Sequence, residues 1–102
     1  MADIATLIDA LEERASALSA LNHTVRFDLT DSGQSIHLDA TSGGVSVTES
    51  DAEAEAVLKL SSDTLDKLIT GRIGPMLAFS TGRLRLEGSQ GVALKLAGLL
   101  DS

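Results

Sequence analysis

Apolar residues recur at helical spacing at the start of the chain. Ile4, Leu7, Ile8, Leu11, Ala15 and Leu18 share one side, Leu21 closes the run, and Asp9, Glu12, Glu13 and Arg14 fall opposite. This period of 3.6 predicts an amphipathic helix over residues 3 to 21, with Asp3 as N-cap and Asn22-His23 as the stop. The period then changes to 2. Val25, Phe27 and Leu29 alternate with Arg26 and Asp28, which predicts a strand with one dry face. Asp31-Ser32-Gly33 is turn chemistry, and Ile36, Leu38 and Ala40 form the return strand with His37 and Asp39 outward. A second turn at Thr41-Ser42-Gly43-Gly44 leads to a short third strand marked by Val45 and Val47. An acidic loop, Glu49-Ser50-Asp51-Ala52-Glu53, precedes a fourth strand in which Ala54, Ala56, Leu58 and Leu60 alternate. Three successive hairpins are the expectation, hence a mainly antiparallel sheet with one face buried.

Helical spacing returns after Ser61-Ser62-Asp63, where Leu65, Leu68 and Ile69 share a face and Gly71 supplies the C-terminal stop. Gly74-Pro75 starts a second short helix carrying Met76, Leu77 and Phe79, and Gly82 ends it. Residues from Gly82 to Gly88 alternate as a fifth strand, and Ser89 caps a last helix running to Leu100. That helix departs from the amphipathic rule. Lys95 is its only charge after Val92. At about 100° per residue, Val92, Leu96, Leu99 and Leu100 cluster, while Leu94 points roughly 160° away from Leu96. A helix apolar on two sides is either doubly buried or in contact with something else, such as an apolar ligand or a partner.

Composition narrows the function classes. A length of 102 residues, 43% hydrophobic and 23% charged, fits one ordinary domain over residues 1–102. With two Phe, no Trp and no Tyr, the core is aliphatic and lacks the stacking platforms of single-stranded nucleic-acid binders. The net charge of −7 has the wrong sign for nucleic acid. It is also unevenly placed: residues 1–58 hold two basic and eleven acidic groups, residues 59–102 six basic and four acidic. One end is thus suited to weak contact with an anionic membrane surface. Zero Cys excludes disulfides, thiolate metal sites and a Cys nucleophile. The start at Met1-Ala2-Asp3-Ile4 does not resemble a leader, the end at Leu99-Leu100-Asp101-Ser102 is not a peroxisomal address, and no stretch is long enough to span a membrane. We therefore expect a cytoplasmic protein.

No catalytic, cofactor or metal-binding constellation is expected. His23 sits at a helix end and His37 on an outward strand face, with no strand–Gly-x-Ser-x-Gly–helix elbow to aim a nucleophile at either. The cluster Glu49, Asp51, Glu53, Glu55 lacks the loop-turning Gly and terminal Glu of a calcium loop and reads as solvated. Gly88-Ser89-Gln90-Gly91 at a helix start lacks the Lys-Ser/Thr of a phosphate loop. What remains is apolar. Leu65, Leu68 and Ile69 on one short helix, Ile73 in the connection, and Met76, Leu77 and Phe79 on the next either complete the core or, if the helices cover the sheet incompletely, line a cavity. In the second case Leu94 and Leu99 of the last helix join them, and of Met76, Leu77 and Phe79 the last is the most deeply placed.

The element order and several residues carry a family likeness. Ser62-Asp63-Thr64-Leu65 through Leu68 and Gly71, then Pro75, then Ala78-Phe79-Ser80-Thr81-Gly82-Arg83-Leu84-Arg85-Leu86-Glu87-Gly88, then Ala93 and Leu96, resemble the core pattern of the sterol carrier protein family, type two. That resemblance implies an α+β fold: a five-stranded, mostly antiparallel sheet covered on one face by helices. It further implies non-catalytic binding and transfer of an apolar lipid (fatty acid, acyl chain, sterol or isoprenoid-like) in a hydrophobic tunnel between sheet and helices. Such domains also occur as appendages of larger enzymes, so a partner enzyme to which lipid is presented is an alternative. From the residues alone, a homodimer or scaffold module packing through the last helix is another.

Overall fold

The computed structural model describes residues 3–100, so Met1, Ala2, Asp101 and Ser102, on which the leader and tail readings partly rest, lie outside the described residues. The chain runs α1 (Ile4–Glu13), α2 (Ala15–Leu18), a 3₁₀ turn (Ser19–Leu21), β1 (Thr24–Leu29), β2 (Ser35–Asp39), β3 (Ser46–Glu49), β4 (Ala56–Leu60), α3 (Ser62–Ile69), α4 (Pro75–Ser80), β5 (Leu84–Gly88) and α5 (Gln90–Leu100). The first helix is not continuous to residue 21. It breaks at Arg14 (φ −98°, ψ 14°) and tightens to a 3₁₀ turn that ends in left-handed Asn22. Leu18 and Leu21 are three residues apart, the 3₁₀ repeat, and the tightened turn keeps both fully buried.

The five strands order β3-β2-β1-β4-β5. Neighbours are antiparallel except β1 and β4, which are parallel. The expected third hairpin is therefore absent: the chain leaves β3 at one edge and returns between β1 and β5. Burial explains the choice. Ala56, Leu58 and Leu60 are all buried in β4, whereas Val47 is the only buried residue of β3. The more apolar strand takes the interior position and the polar one the edge. Inward residues align in rows across the register, Val47–Leu38–Val25–Ala56, Ile36–Phe27–Leu58–Leu86 and Leu29–Leu60–Leu84. This is the dry face read from the alternation.

The acidic stretch is the crossover, and side chains of the polar sheet face fix its backbone. The Arg26 guanidinium, which also pairs with Asp28 at 2.8 Å, donates to the carbonyls of Asp51 (3.1 Å) and Ala52 (3.4 Å). His37 Nε2–H donates to the carbonyl of Glu53 at 3.2 Å, since a carbonyl can only accept. Its carboxylates remain in solvent, but the loop is bound to the sheet.

All helices lie on the dry face. α1 packs on β3 and α3, α5 on β4, β5 and α2, and α4 on β5 and α5. Two polar anchors aim the second half of the chain. Asp31, just past β1, accepts from Ser62 N–H and Oγ–H, both at 3.0 Å, and so holds the start of α3. Gly88 ends β5 at φ +81°, where a Cβ would stand 2.6 Å from the Glu55 carbonyl oxygen. That close approach lets Ser89 N–H donate to the same oxygen at 2.8 Å and directs α5 back across the sheet.

Candidate functional site

The helical cover is incomplete over β4 and β5. There the structure leaves a cavity of about 210 Å³, open on one side, between the sheet, the end of α3, the short α4 and the inner face of α5. Phe27, Leu58, Leu84 and Leu86 form its floor, from the central strands outward to the β5 edge. Ala93, Leu96, Ala97 and Leu100 form the α5 wall, and Leu68, Pro75, Met76 and Phe79 face it from α3 and α4. Gln90, an exposed residue at the start of α5, is the single polar side chain in the lining. A space of this kind attracts hydrocarbon and offers a polar head group one partner at its rim.

The local sequence accounts for the opening. α4 is only six residues long, held between the Gly74-Pro75 start and the stop before Gly82. Ala78 is its one buried residue, and a small one, so it shields little of the sheet. Met76 (66% exposed), Phe79 (53%) and, from α5, Leu94 (62%) stand at the mouth. The last helix is thus not doubly buried: Val92, Ala93, Leu96 and Leu100 face the interior, and Leu94 faces solvent beside the opening.

Of the nine candidate residues, Leu68, Met76, Phe79 and Leu94 come together on the cavity. Leu65 and Ile69 instead close the core beside α1, and Ile73 and Leu99 pack partly buried against that core. Leu77 is 56% exposed and outside the lining. Phe79 is the least exposed of the three large apolar α4 residues Met76, Leu77 and Phe79, though only by a little. It is more than half exposed, and the deep position belongs to Phe27, 1% exposed on the central strand. The floor residues escaped the candidate set although their alternation already placed them inward. What the alternation does not give is which inward residues face a helix and which face a gap.

The polar clusters serve the fold. Glu55 accepts from Thr24 N–H (3.0 Å) and His23 Nδ1–H (2.9 Å), and these bonds, the backbone one first, hold its carboxyl below the ordinary range. Burial alone would raise the Asp28 carboxyl, but hydrogen bonds from Arg26 and Ser35 outweigh it and the net direction is down. Neither histidine faces the cavity lining. Among the described residues no group of three or more His, Cys, Asp or Glu is gathered as metal ligands, and no helix is long and apolar enough to cross a membrane.

Comparison with known proteins adds a family to this geometry. The profile of the SCP-2 sterol transfer family matches residues 4–101. Hydroxysteroid dehydrogenase-like protein 2 of Xenopus tropicalis is 38% identical over 58 residues, which cover 57% of this chain and 14% of that much longer protein. The chain matches sterol carrier protein 2 from Yarrowia lipolytica in its apo form with a TM-score of 0.74 and 23% identity, over 93% of this chain and 87% of the other. It matches sterol carrier protein 2 from Aedes aegypti in complex with palmitate with a TM-score of 0.75 and 19% identity, over 98% and 96% of the two chains. At these identities the solved structures speak to the fold, a five-stranded, mostly antiparallel sheet with helices on one face.

Proposed function

This chain belongs to the SCP-2 sterol transfer family, and from that premise we propose that it binds a single apolar chain, such as a fatty acid or acyl ester, and carries it without making or breaking a bond. The observation that carries the reading is the cavity over β4 and β5, apolar on every side except at Gln90. Leu58, Leu86, Ala93 and Leu96 would hold the hydrocarbon, with Leu68, Met76, Phe79 and Leu94 closing over it. Gln90 would meet the head group at the rim. Each methylene taken from water contributes about 0.8 kcal/mol, so hydrocarbon alone supplies useful affinity without charged recognition. The palmitate in the Aedes aegypti protein supports the choice of a fatty acid as first probe.

Filling the cavity from opposite walls tests this. Met76→Trp and Ala97→Phe each place bulk in the lining with little disturbance of the closed core. Each is expected to weaken saturable, displaceable binding of a fluorescent fatty-acid analogue at least about tenfold, or about 1.4 kcal/mol, with an unchanged urea midpoint. Unaltered affinity in two folded variants would move the ligand elsewhere, and no binding by the parent protein would end the proposal.

A further inference from the structure

The large apolar side chains exposed among the described residues are Met76, Leu77, Phe79 and Leu94, and all four lie on α4 and α5. Three of them ring the cavity mouth. Leu77 does not, so a ligand in the cavity leaves it in water. The segment that carries this patch has a positive balance. Residues 70–100 contain Arg72, Arg83, Arg85 and Lys95 against Glu87 alone, in a chain of net charge −7, and Arg85 and Glu87 alternate with inward Leu84 and Leu86 and so lie on the polar sheet face. Glu87 is engaged by Lys59 at 3.1 Å on the polar sheet face. Arg83 is fixed to the end of α4 by its N–H to the Ala78 carbonyl at 2.9 Å, Arg72 precedes α4, and Lys95 adjoins Leu94. All three are exposed. Lys67, by contrast, is paired with Asp63 at 3.1 Å and adds little.

From this combination we propose that the α4–α5 face is a docking surface for an anionic lipid bilayer, which seats Leu77 and Leu94 among the acyl chains and places the cavity mouth directly on the membrane. The inference rests on the reading of the cavity as a lipid site and names the surface from which that site is filled. The amphipathic α1 does not compete for this role: Leu7 and Leu11 are fully buried, and its exposed side carries Asp9, Glu12 and Glu13. An approaching anionic surface repels that end and attracts the other, which orients the molecule before contact. The attraction is screened over about 8–10 Å at ordinary salt.

The chain has no Trp or Tyr, so an introduced indole reports without background. Leu77→Trp is mixed with vesicles of brominated phosphatidylcholine with and without phosphatidylserine, and Glu12→Trp serves as the reporter on the opposite end. The expected result is a blue shift and quenching of Leu77→Trp on phosphatidylserine-containing vesicles, reversed by salt, with Glu12→Trp unaffected. Adding Arg83→Glu or Lys95→Glu to the Leu77→Trp chain should weaken vesicle association at least about fivefold each. Equal response of both reporters, indifference to phosphatidylserine, or no quenching at all would overturn the proposal. A blue shift without vesicles, accompanied by doubled mass in sedimentation, would also overturn it and make a second copy the occupant. Leu77→Asp should abolish vesicle association while keeping parental affinity for the fatty-acid analogue in vesicle-free solution. Failure of the parent protein to bind that analogue would instead sink the cavity reading, and the indole result is read independently of it.

Discussion

At the scale of single residues, Gly88 fixes more of the site than any residue that touches the cavity. Its positive φ and the 2.6 Å approach of a would-be Cβ to the Glu55 carbonyl exclude every other amino acid without strain. The same carbonyl receives Ser89 N–H, so a shift here tilts α5, which supplies one cavity wall. Gly88→Ala is expected to cost about 2–3 kcal/mol, seen as a lower urea midpoint at constant slope. In the folded fraction it should also lower fatty-acid affinity. A variant with the parental midpoint would show that the backbone yields more easily than the geometry implies. The sequence made Gly88 legible as a strand end, but the second partner, Glu55, is thirty-three positions earlier and belongs to a crossover that periodicity does not reveal.

At the scale of elements, most of the chain could be read from its spacing, and the misreadings share one cause. The existence and dry faces of all five strands, the start of α3 at Ser62, the start of α4 at Pro75 and the capping of α5 by Ser89, whose Oγ accepts from Val92 N–H at 3.2 Å, follow from local chemistry. The break at Arg14 and the path from β3 to β4 depend on what lies across the molecule: Leu18 and Leu21 turn to stay in the core, and the crossover is held by Arg26 and His37 from other strands. Long-range polar anchors of this kind also set the response to acid. Asp31, through the Ser62 N–H and then the Ser62 hydroxyl, and Glu55, through Thr24 N–H and then His23, both have carboxyls held below their ordinary values. A carboxyl depressed in the folded state stabilises above its unfolded value and loses that contribution as pH falls through the folded one. Thermal stability should therefore be flat down to about pH 5 and decline below about pH 4. Asp31→Asn should melt below the parent at neutral pH, with the gap closing as acid removes the parent's advantage. A gap that persists unchanged at low pH would assign the loss to shape and not to charge.

At the scale of the whole molecule, the size of the cavity limits what it can carry. About 210 Å³ lies below the roughly 300–1,000 Å³ of pockets that engulf a small molecule, so a long chain cannot be wholly enclosed in this conformation. α4 is the element placed to respond, since it is six residues long and buries only Ala78, whereas α5 is buried along Val92, Ala93, Leu96 and Leu100. Two regimes of binding follow. While the alkyl chain fits the existing space, each added methylene should tighten binding about fourfold, the equivalent of about 0.8 kcal/mol. Once the space is full, further methylenes must displace α4 or lie along the exposed surface of Met76, Phe79 and Leu94, and the gain per carbon should fall well below that value. A calorimetric series of saturated fatty acids from about eight to about eighteen carbons would locate the break, and the heat-capacity change should flatten at the same length because burial stops increasing there. Ala97→Phe should move the break to shorter chains without altering the slope before it, since it removes volume and leaves the chemistry of the wall unchanged. A constant increment through the whole series would mean that α4 opens at little cost and that the cavity is only the closed form of a longer channel.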